Sequence, residues 1–196
     1  LVLSSRQIDL DASLHVDGQT TSDLRATLSA WQSALMMGET DLRAPFPVAV
    51  DLKIESILAG GDTLKNVQLQ SLVQSDGVVV KALSAELPGQ GRVSASGRAG
   101  LARGGQFFGH VALDAKDMPR LLGWIEGEIS GRSNRIGTAK EMKLDADVAL
   151  STSVAAASNL NLTLDRSAIS GLVRYSVGDD GARSRVDAQL ASNALI

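Results

Sequence analysis

The chain of 196 residues contains no cysteine, and aromatic residues make up only 3% of it. The lack of cysteine excludes a disulfide framework and any cysteine-ligated metal, and it suits an oxidising or a reducing compartment equally. No apolar run approaches the roughly 18 residues that a bilayer-spanning helix needs. The N-terminus also lacks the order of charged, apolar and small residues that is typical of a signal peptide. Because the chain starts at Leu1 rather than Met, we expect a segment of a longer protein whose anchor or targeting signal lies outside it.

Neither sign of charge is concentrated in one part of the sequence. The net charge is −3 and the isoelectric point is near 5.4, with acids and bases interspersed. Neutralising phosphates requires clustered lysine and arginine. Nucleic acid is therefore not expected as a partner. With 44% of its residues hydrophobic, the chain can bury a sizeable core.

Residues suited to catalysis or metal binding are scarce. The two histidines, His15 and His110, each fall on the polar phase of a predicted strand, where solvated surface positions are expected. Asp9 and Asp11 occupy alternate polar positions without the spacing of a calcium-binding loop. The sequence has no HExxH, Gly-x-Ser-x-Gly or phosphate-binding loop motif. We therefore predict no catalytic residues, no metal and no cofactor, and a chain that is not an enzyme.

The dominant pattern is alternation of apolar and polar residues, which is typical of strands with one apolar face. It predicts a first strand in which Ile8, Leu10, Ala12, Leu14 and Val16 share a face. Further strands are predicted around Leu52, Leu69, Leu83, Val93, Val111, Leu144, Leu162, Val173 and Ala188. The strand around Leu83 is predicted to include Val79 on the same face. Turns at Asp76-Gly77 and at Pro88 to Gly91 connect them as a meander. The predicted fold is mainly β: a curved, mostly antiparallel sheet of meander hairpins with one or two short packing helices.

Two segments have helical spacing instead. One covers about residues 22–37 and presents Leu24, Leu28, Trp31 and Leu35, and the other covers about residues 117–126, with Asp117 as its cap. Residues 1–196 are interpreted as a single β-rich domain or segment. An alternative interpretation is two divergent β units, about 48–126 and 142–196, preceded by a strand and a helix over about 1–44. The similarity of residues 66–70 (NVQLQ) to residues 159–163 (NLNLT) favours this division.

Several turn and strand motifs follow one another in an order that resembles a known family. They are Leu64-Lys65-Asn66-Val67, Ser75-Asp76-Gly77, the run from Leu83 to Gly91, and the run from Asp117 to Leu122. In this order they are similar to the C-terminal region of AsmA family envelope proteins, from about residue 48 onward. The resemblance implies a Gram-negative periplasmic protein, anchored in the inner membrane by a segment outside this chain, that takes part in outer-membrane biogenesis. It also implies a non-catalytic role in which an apolar β-sheet groove transports phospholipid.

Two hypotheses about the apolar phase of the strands remain open. In the first, the face shelters phospholipid or another acyl-chain lipid, and the predicted lining residues are Val67, Leu69, Leu83, Leu87, Val93, Phe107, Val111 and Leu113. In the second, the same residues form an ordinary closed core of a structural or protein-binding envelope scaffold, with other envelope proteins as partners. An open apolar face and a covered one would distinguish these hypotheses.

Overall fold

The computed structural model describes residues 1–13, 46–100, 106–126, 139–178 and 183–193. In these ranges ten strands form one sheet that does not close on itself. The strands are β1 Val2–Asp9, β2 Val48–Ala59, β3 Asp62–Val73, β4 Gly77–Leu87, β5 Gly91–Gly100, β6 Phe107–Ala115, β7 Met142–Leu150, β8 Val154–Leu164, β9 Ser167–Ser176 and β10 Arg185–Ser192. Two short helices accompany them, α1 Leu10–Ser13 and α2 Met118–Glu126. The predicted mainly β, mostly antiparallel meander is confirmed.

The order of the strands in the sheet follows their order in the chain. Every neighbouring pair from β2 to β10 is antiparallel. Short connections, which favour antiparallel pairing, join all of these pairs except β6 and β7, whose connection contains α2. Only β1 departs from this pattern, because it runs parallel to β2 with Leu3 opposite Leu52 and Ile8 opposite Ile57. In the described ranges no helix is long and apolar enough to cross a bilayer.

The first predicted strand is wrong at Leu10–Ser13. β1 ends at Asp9, and Leu10–Ser13 form one helical turn instead. The reason is local hydrogen bonding: the Asp9 carboxylate accepts the backbone N–H of Ala12 at 2.7 Å, in the manner of a helix cap. The Asp11 carboxylate accepts the N–H groups of Gly60 and Gly61 at 2.8 and 3.0 Å. Both aspartate carboxylates thus accept hydrogen bonds from backbone N–H groups, and the alternation of the sequence alone does not predict this. Residues 14–16 of the predicted strand lie outside the described residues.

Helix α2 lies at one end of the sheet. Asp117 caps it by accepting the N–H of Arg120 at 3.2 Å, and Leu121 is fully buried. The indole N–H of Trp124 donates to the carbonyl of Ala59 at 2.8 Å, which ties the helix to the β2–β3 turn. The N–H of Asp117 donates to the carbonyl of Gly89 at 2.9 Å in the β4–β5 turn. The predicted helix over about 117–126 is confirmed, and the one over about 22–37 lies outside the described residues.

The opposite end of the sheet carries no such helix in the described ranges. We call the end at α2 the helix end, and the other, where Val48, Val78, Phe107 and Tyr175 lie, the distal end. Strands β6 and β7, which belong to the two predicted β units, pair directly with Leu113 opposite Leu144. Both units therefore share one sheet, and their origin as two copies stays a prediction.

Candidate functional site: the apolar face of the sheet

Strand register places the eight predicted lining residues on one face of the sheet. Residues directly opposite each other on paired strands project to the same side. Leu69 lies opposite Leu83, and Leu113 lies opposite both Val93 and Leu144. We call this side the apolar face. Its two central rows are Leu52, Leu69, Leu83, Ala95, Val111 and Ala146, and Ile54, Val67, Ala85, Val93, Leu113, Leu144, Leu162 and Ile169.

The other side, which we call the polar face, is hydrophilic along its centre. The row that crosses it consists of Lys53, Gln68, Ser84, Ser94, Ala112, Asp145, Asn161 and Ser170. The separation of the two faces follows from the alternating sequence. The centre of the sheet is therefore amphipathic across nearly all of its width.

β-bulges keep the apolar side chains on one face where the alternation changes phase. In β4 the register shifts between Val80 and Leu83, so the even-numbered Val78 and Val80 share a face with the odd-numbered Leu83. An extra residue in a strand reverses the phase of the residues that follow it. Val79, which the sequence pattern placed with Leu83, consequently lies on the polar face. β8 contains a similar bulge, with a register shift between Ala157 and Leu160.

Burial of the apolar face changes along the sheet. At β2 to β4 the side chains of Ile54, Val67 and Ala85 form a buried cluster, and Leu87 and Val93 pack against it. The remaining predicted lining residues are half-buried. At β10 the same face is exposed, with Val186 65% and Leu190 53% accessible to solvent. The sheet thus has a covered core at its N-terminal side and an uncovered apolar surface at its C-terminal side.

The apolar face extends further than the sequence-based set of lining residues. Half-buried or exposed apolar residues continue it across β7 to β10, namely Leu144, Val148, Leu162, Ile169, Val173, Tyr175, Val186 and Leu190. The alternation that predicted these strands also contained this signal. Connecting them to the first set required the pairing of β6 with β7, which two separate alternating patterns do not specify.

His110 forms the most organised side-chain cluster on the polar face. Its Nδ1 lies 3.0 Å from a carboxylate oxygen of Asp147, and its Nε2 lies 3.0 Å from one of Asp145. The side-chain amide of Asn159 donates to the other oxygen of Asp147 at 2.7 Å. The hydrogen bond to Asp147 and the charge of Asp145 raise the pKa of His110. The hydrogen bonds from Asn159 and His110 lower the pKa of Asp147.

This cluster does not have the arrangement of a metal site. The two carboxylates contact different nitrogens of the imidazole ring, so the three side chains do not converge on one position. A divalent cation would need donors directed at a common point. In the described part of the chain, no three histidine, aspartate or glutamate side chains are placed to hold a metal ion. The arrangement can bind a proton on His110, and its pairs stabilise neighbouring strands.

Charges alternate across the polar face near the helix end. The row Lys65, Glu86, Arg92, Asp114 and Lys143 changes sign at each strand. The ammonium of Lys143 lies 3.4 Å from the carboxylate of Asp114, and both side chains are largely exposed. Such exposed pairs contribute little each, but they favour the observed register over one with like charges opposite.

Comparison with known proteins found no match among family models, curated proteins or solved structures. The resemblance to the AsmA family therefore stays a prediction.

Proposed function

We propose that this chain is a non-catalytic segment of an AsmA-like envelope protein, and that its apolar face shelters acyl chains of phospholipid. In this proposal the segment lies in the periplasm and takes part in outer-membrane biogenesis. A part of the protein outside this chain anchors it in the inner membrane. The motif order given above supports the family, and the apolar face supports the lipid.

One observation carries the proposal: the apolar face continues without a break from the buried cluster to an exposed strand. Val93, Leu113, Leu144 and Leu162 are opposite one another in register, and the face ends at β10 with Leu190 53% exposed. Apolar surface in contact with water costs about 25 cal/mol per Å². Large exposed apolar surfaces are typical of interaction sites, which supports the proposal. An acyl chain is a ligand that could lie along it without needing polar partners.

The proposal assigns different tasks to the two parts of the face. The buried cluster of Ile54, Val67 and Ala85 holds β2 to β4 together. The half-buried and exposed residues from β5 to β10 would receive the acyl chain. Of the predicted lining residues, Phe107, Val111 and Leu113 belong to this second part, whereas Val67 belongs to the first.

The second candidate function is an envelope scaffold whose apolar face is covered by protein. The same buried cluster favours it, because at β2 to β4 the face is already an ordinary core. In that case the exposed residues of β10 would contact another envelope protein. Lipid would then not be bound in a defined position.

Photo-crosslinking can test the lipid proposal in the full chain. A phospholipid with a photoactivatable acyl chain should label residues of the apolar face on β6 to β10, which peptide mapping by mass spectrometry would identify. Leu190→Arg should abolish labelling at β9 and β10, because the charge makes the surface hostile to an acyl chain. The fold should survive, since Leu190 is already 53% exposed.

Gln189→Arg is the matched control. Gln189 neighbours Leu190 on the same strand but is exposed on the other face, so the substitution adds the same charge away from the proposed lipid. It should label like the parent. Equal labelling of the two variants, or labels spread over both faces, would reject the lipid proposal. Capture of a protein instead of lipid through the Leu190 surface would favour the scaffold.

A further inference from the structure

We propose that the distal end of the sheet contacts the interfacial region of an anionic phospholipid bilayer. This inference goes beyond sheltering single acyl chains, because it concerns an edge of the molecule and a membrane surface. It rests on the side chains of the last two rows of the sheet at that end.

The outermost row on the apolar face is apolar in nine consecutive strands. It consists of Val48, Val73, Val78, Ala99, Phe107, Leu150, Ala155, Tyr175 and Val186. Several of these side chains are exposed, among them Leu150 at 45% and Tyr175 at 41%. At this end the apolar face therefore reaches the very border of the sheet.

The corresponding row on the polar face is also largely apolar, unlike the centre of that face. It consists of Ala49, Leu72, Val79, Arg98, Phe108, Ala149, Ala156, Arg174 and Asp187. Phe108 is 55% exposed there, and Phe46, which precedes β2, is 66% exposed. A core packed against one side of the sheet would account for apolar residues on that face only. The fluid surface of a membrane, in contrast, can contact both faces at this edge of the sheet.

The charges of this end favour anionic lipid. Arg98 lies opposite Phe108 in register, and Arg174 lies opposite Ala156. The ion pairs of the described residues include neither arginine, whereas Asp187 is held by Arg185. Asp51 and Asp76 are the other acidic residues of the described distal end. Arginine beside exposed aromatic rings suits the headgroup region, where the ring enters the apolar layer and the guanidinium binds phosphate.

Backbone hydrogen bonds within the turns lower the free-energy cost of placing these turns at the depth of the lipid headgroups. The N–H of Gln74 donates to the carbonyl of Gly77 at 2.8 Å, and that of Ser151 donates to Val154 at 2.7 Å. The N–H of Val177 likewise donates to Ser153 at 2.8 Å. These turn groups need no water as a partner, and an unpaired group would be costly in lipid. The helix end differs, because its apolar residues Ala115, Met118 and Leu121 are already buried.

Vesicle binding by the full chain tests the inference. We expect binding to phosphatidylcholine vesicles that contain about one-third phosphatidylglycerol, and weaker binding to phosphatidylcholine alone. The double variant Phe46→Ser with Phe108→Ser should bind at least about tenfold more weakly. Arg98→Gln with Arg174→Gln should remove most of the preference for the anionic vesicles. Leu172→Ser, which removes an exposed apolar side chain from the centre of the polar face, should bind like the parent.

A single fluorescent label can show which end enters the membrane, because the chain has no cysteine of its own. Ser75→Cys places an environment-sensitive dye in the β3–β4 turn of the distal end, and Arg166→Cys places it in the β8–β9 turn of the helix end. Vesicles should shift the emission of the first label to shorter wavelength and leave the second unchanged.

Four results would overturn the inference. The first three are absence of vesicle binding by the parent, equal loss of binding in Leu172→Ser and in the phenylalanine variant, and a spectral shift at Arg166→Cys as large as that at Ser75→Cys. A shift at Ser75→Cys that depends on protein concentration without vesicles would indicate self-association instead, and would also overturn it. Crosslinking of the phospholipid at Leu190 measures the proposed acyl-chain function separately, so each proposal can fail without the other.

Discussion

Asn66 and Asn159 adopt the same unusual backbone conformation at equivalent points of the repeated sequence. Their φ angles are 52° and 50°, in the left-handed region, and each lies within a register shift of the sheet. The similarity of residues 66–70 to residues 159–163 thus coincides with a shared bulge. Asparagine tolerates this conformation better than most residues that carry a side chain.

The left-handed conformation predicts how Asn66 responds to substitution. Asn66→Gly should leave the free energy of unfolding nearly unchanged, because glycine adopts positive φ without steric cost. Asn66→Ala should lower the free energy of unfolding by about 1 kcal/mol, since the Cβ of alanine is sterically crowded in the left-handed conformation. Urea denaturation would measure both. Gln68→Ala, at an exposed strand position two residues away, should have little effect, and a loss there as large as in Asn66→Ala would argue against the backbone explanation.

Charge substitution on the apolar face should have effects that follow its burial. Val67→Arg places a charge in the buried cluster of β2 to β4, so we expect a loss of several kcal/mol and failure to fold. Leu113→Arg changes a half-buried residue whose longer side chain can extend to water, so a folded chain with a modest loss is expected. Circular dichroism and denaturant titration would compare the two. Unfolding in both would mean that the face is a closed core as far as β6.

The stability of the chain should depend on pH through His110. Folding raises the pKa of His110 above 6.5, so the protonated ring stabilises the fold below that pH, and the contribution is lost as pH rises through the folded value. Folding lowers the pKa of Asp147 below 3.8, so its contribution is present above that pH and is lost as pH falls through the folded value. The free energy of unfolding should therefore decrease as pH rises from below 6.5 through the folded pKa of His110.

Two variants isolate this effect. His110→Gln should remove the decrease, because no proton is gained at this position. Asp147→Asn should reduce it, because the neutral amide no longer favours the imidazolium. Urea titrations at several pH values would provide the curves. An unchanged pH dependence in His110→Gln would assign it to other groups.

The packing of helix α2 on the sheet should depend mainly on Leu121. Leu121 is fully buried at the helix end, so Leu121→Ala should cost about 2 to 5 kcal/mol by leaving a cavity. Leu122→Ala, at a half-buried position of the same helix, should cost clearly less. Denaturant titration gives the two energies. A similar loss in both variants would mean that the packing that holds α2 in place is spread along the helix rather than concentrated at Leu121.

Alternation in the sequence predicted most strands because side-chain periodicity depends only on the local backbone. It failed at Leu10–Ser13, where the carboxylates of Asp9 and Asp11 bind backbone N–H groups, one of them almost 50 residues away along the chain. It also assigned Val79 to the apolar face, because the bulge after Val80 depends on pairing with β3 and β5. The phase of the alternation within a strand depends on residues that are adjacent in sequence. The register between strands depends on pairing with other segments of the chain.

The same distinction applies to the candidate site. Val67, Leu69 and Leu113 were correctly placed on one face, since each follows the apolar phase of its own strand. Their different burial could not be predicted, because burial depends on what packs above the sheet. The apolar distal end was also missed. Phe108 falls on the polar phase of β6, and its importance becomes visible only beside Ala149 and Arg98 of the neighbouring strands.

The meander also has a consequence for how the chain folds. Each strand from β2 to β10 pairs with its neighbours in sequence, so most hairpins close a short loop and little chain entropy is lost at each step, the β6–β7 connection through α2 being the longer one. β1 is different, because Leu3 must find Leu52 across almost 50 residues. Cooperativity in such a sheet spreads from strand to adjacent strand, as in repeat proteins. Amide hydrogens of β10, the exposed last strand, should therefore exchange first, while those of β3, held between two long strands around Val67, exchange last.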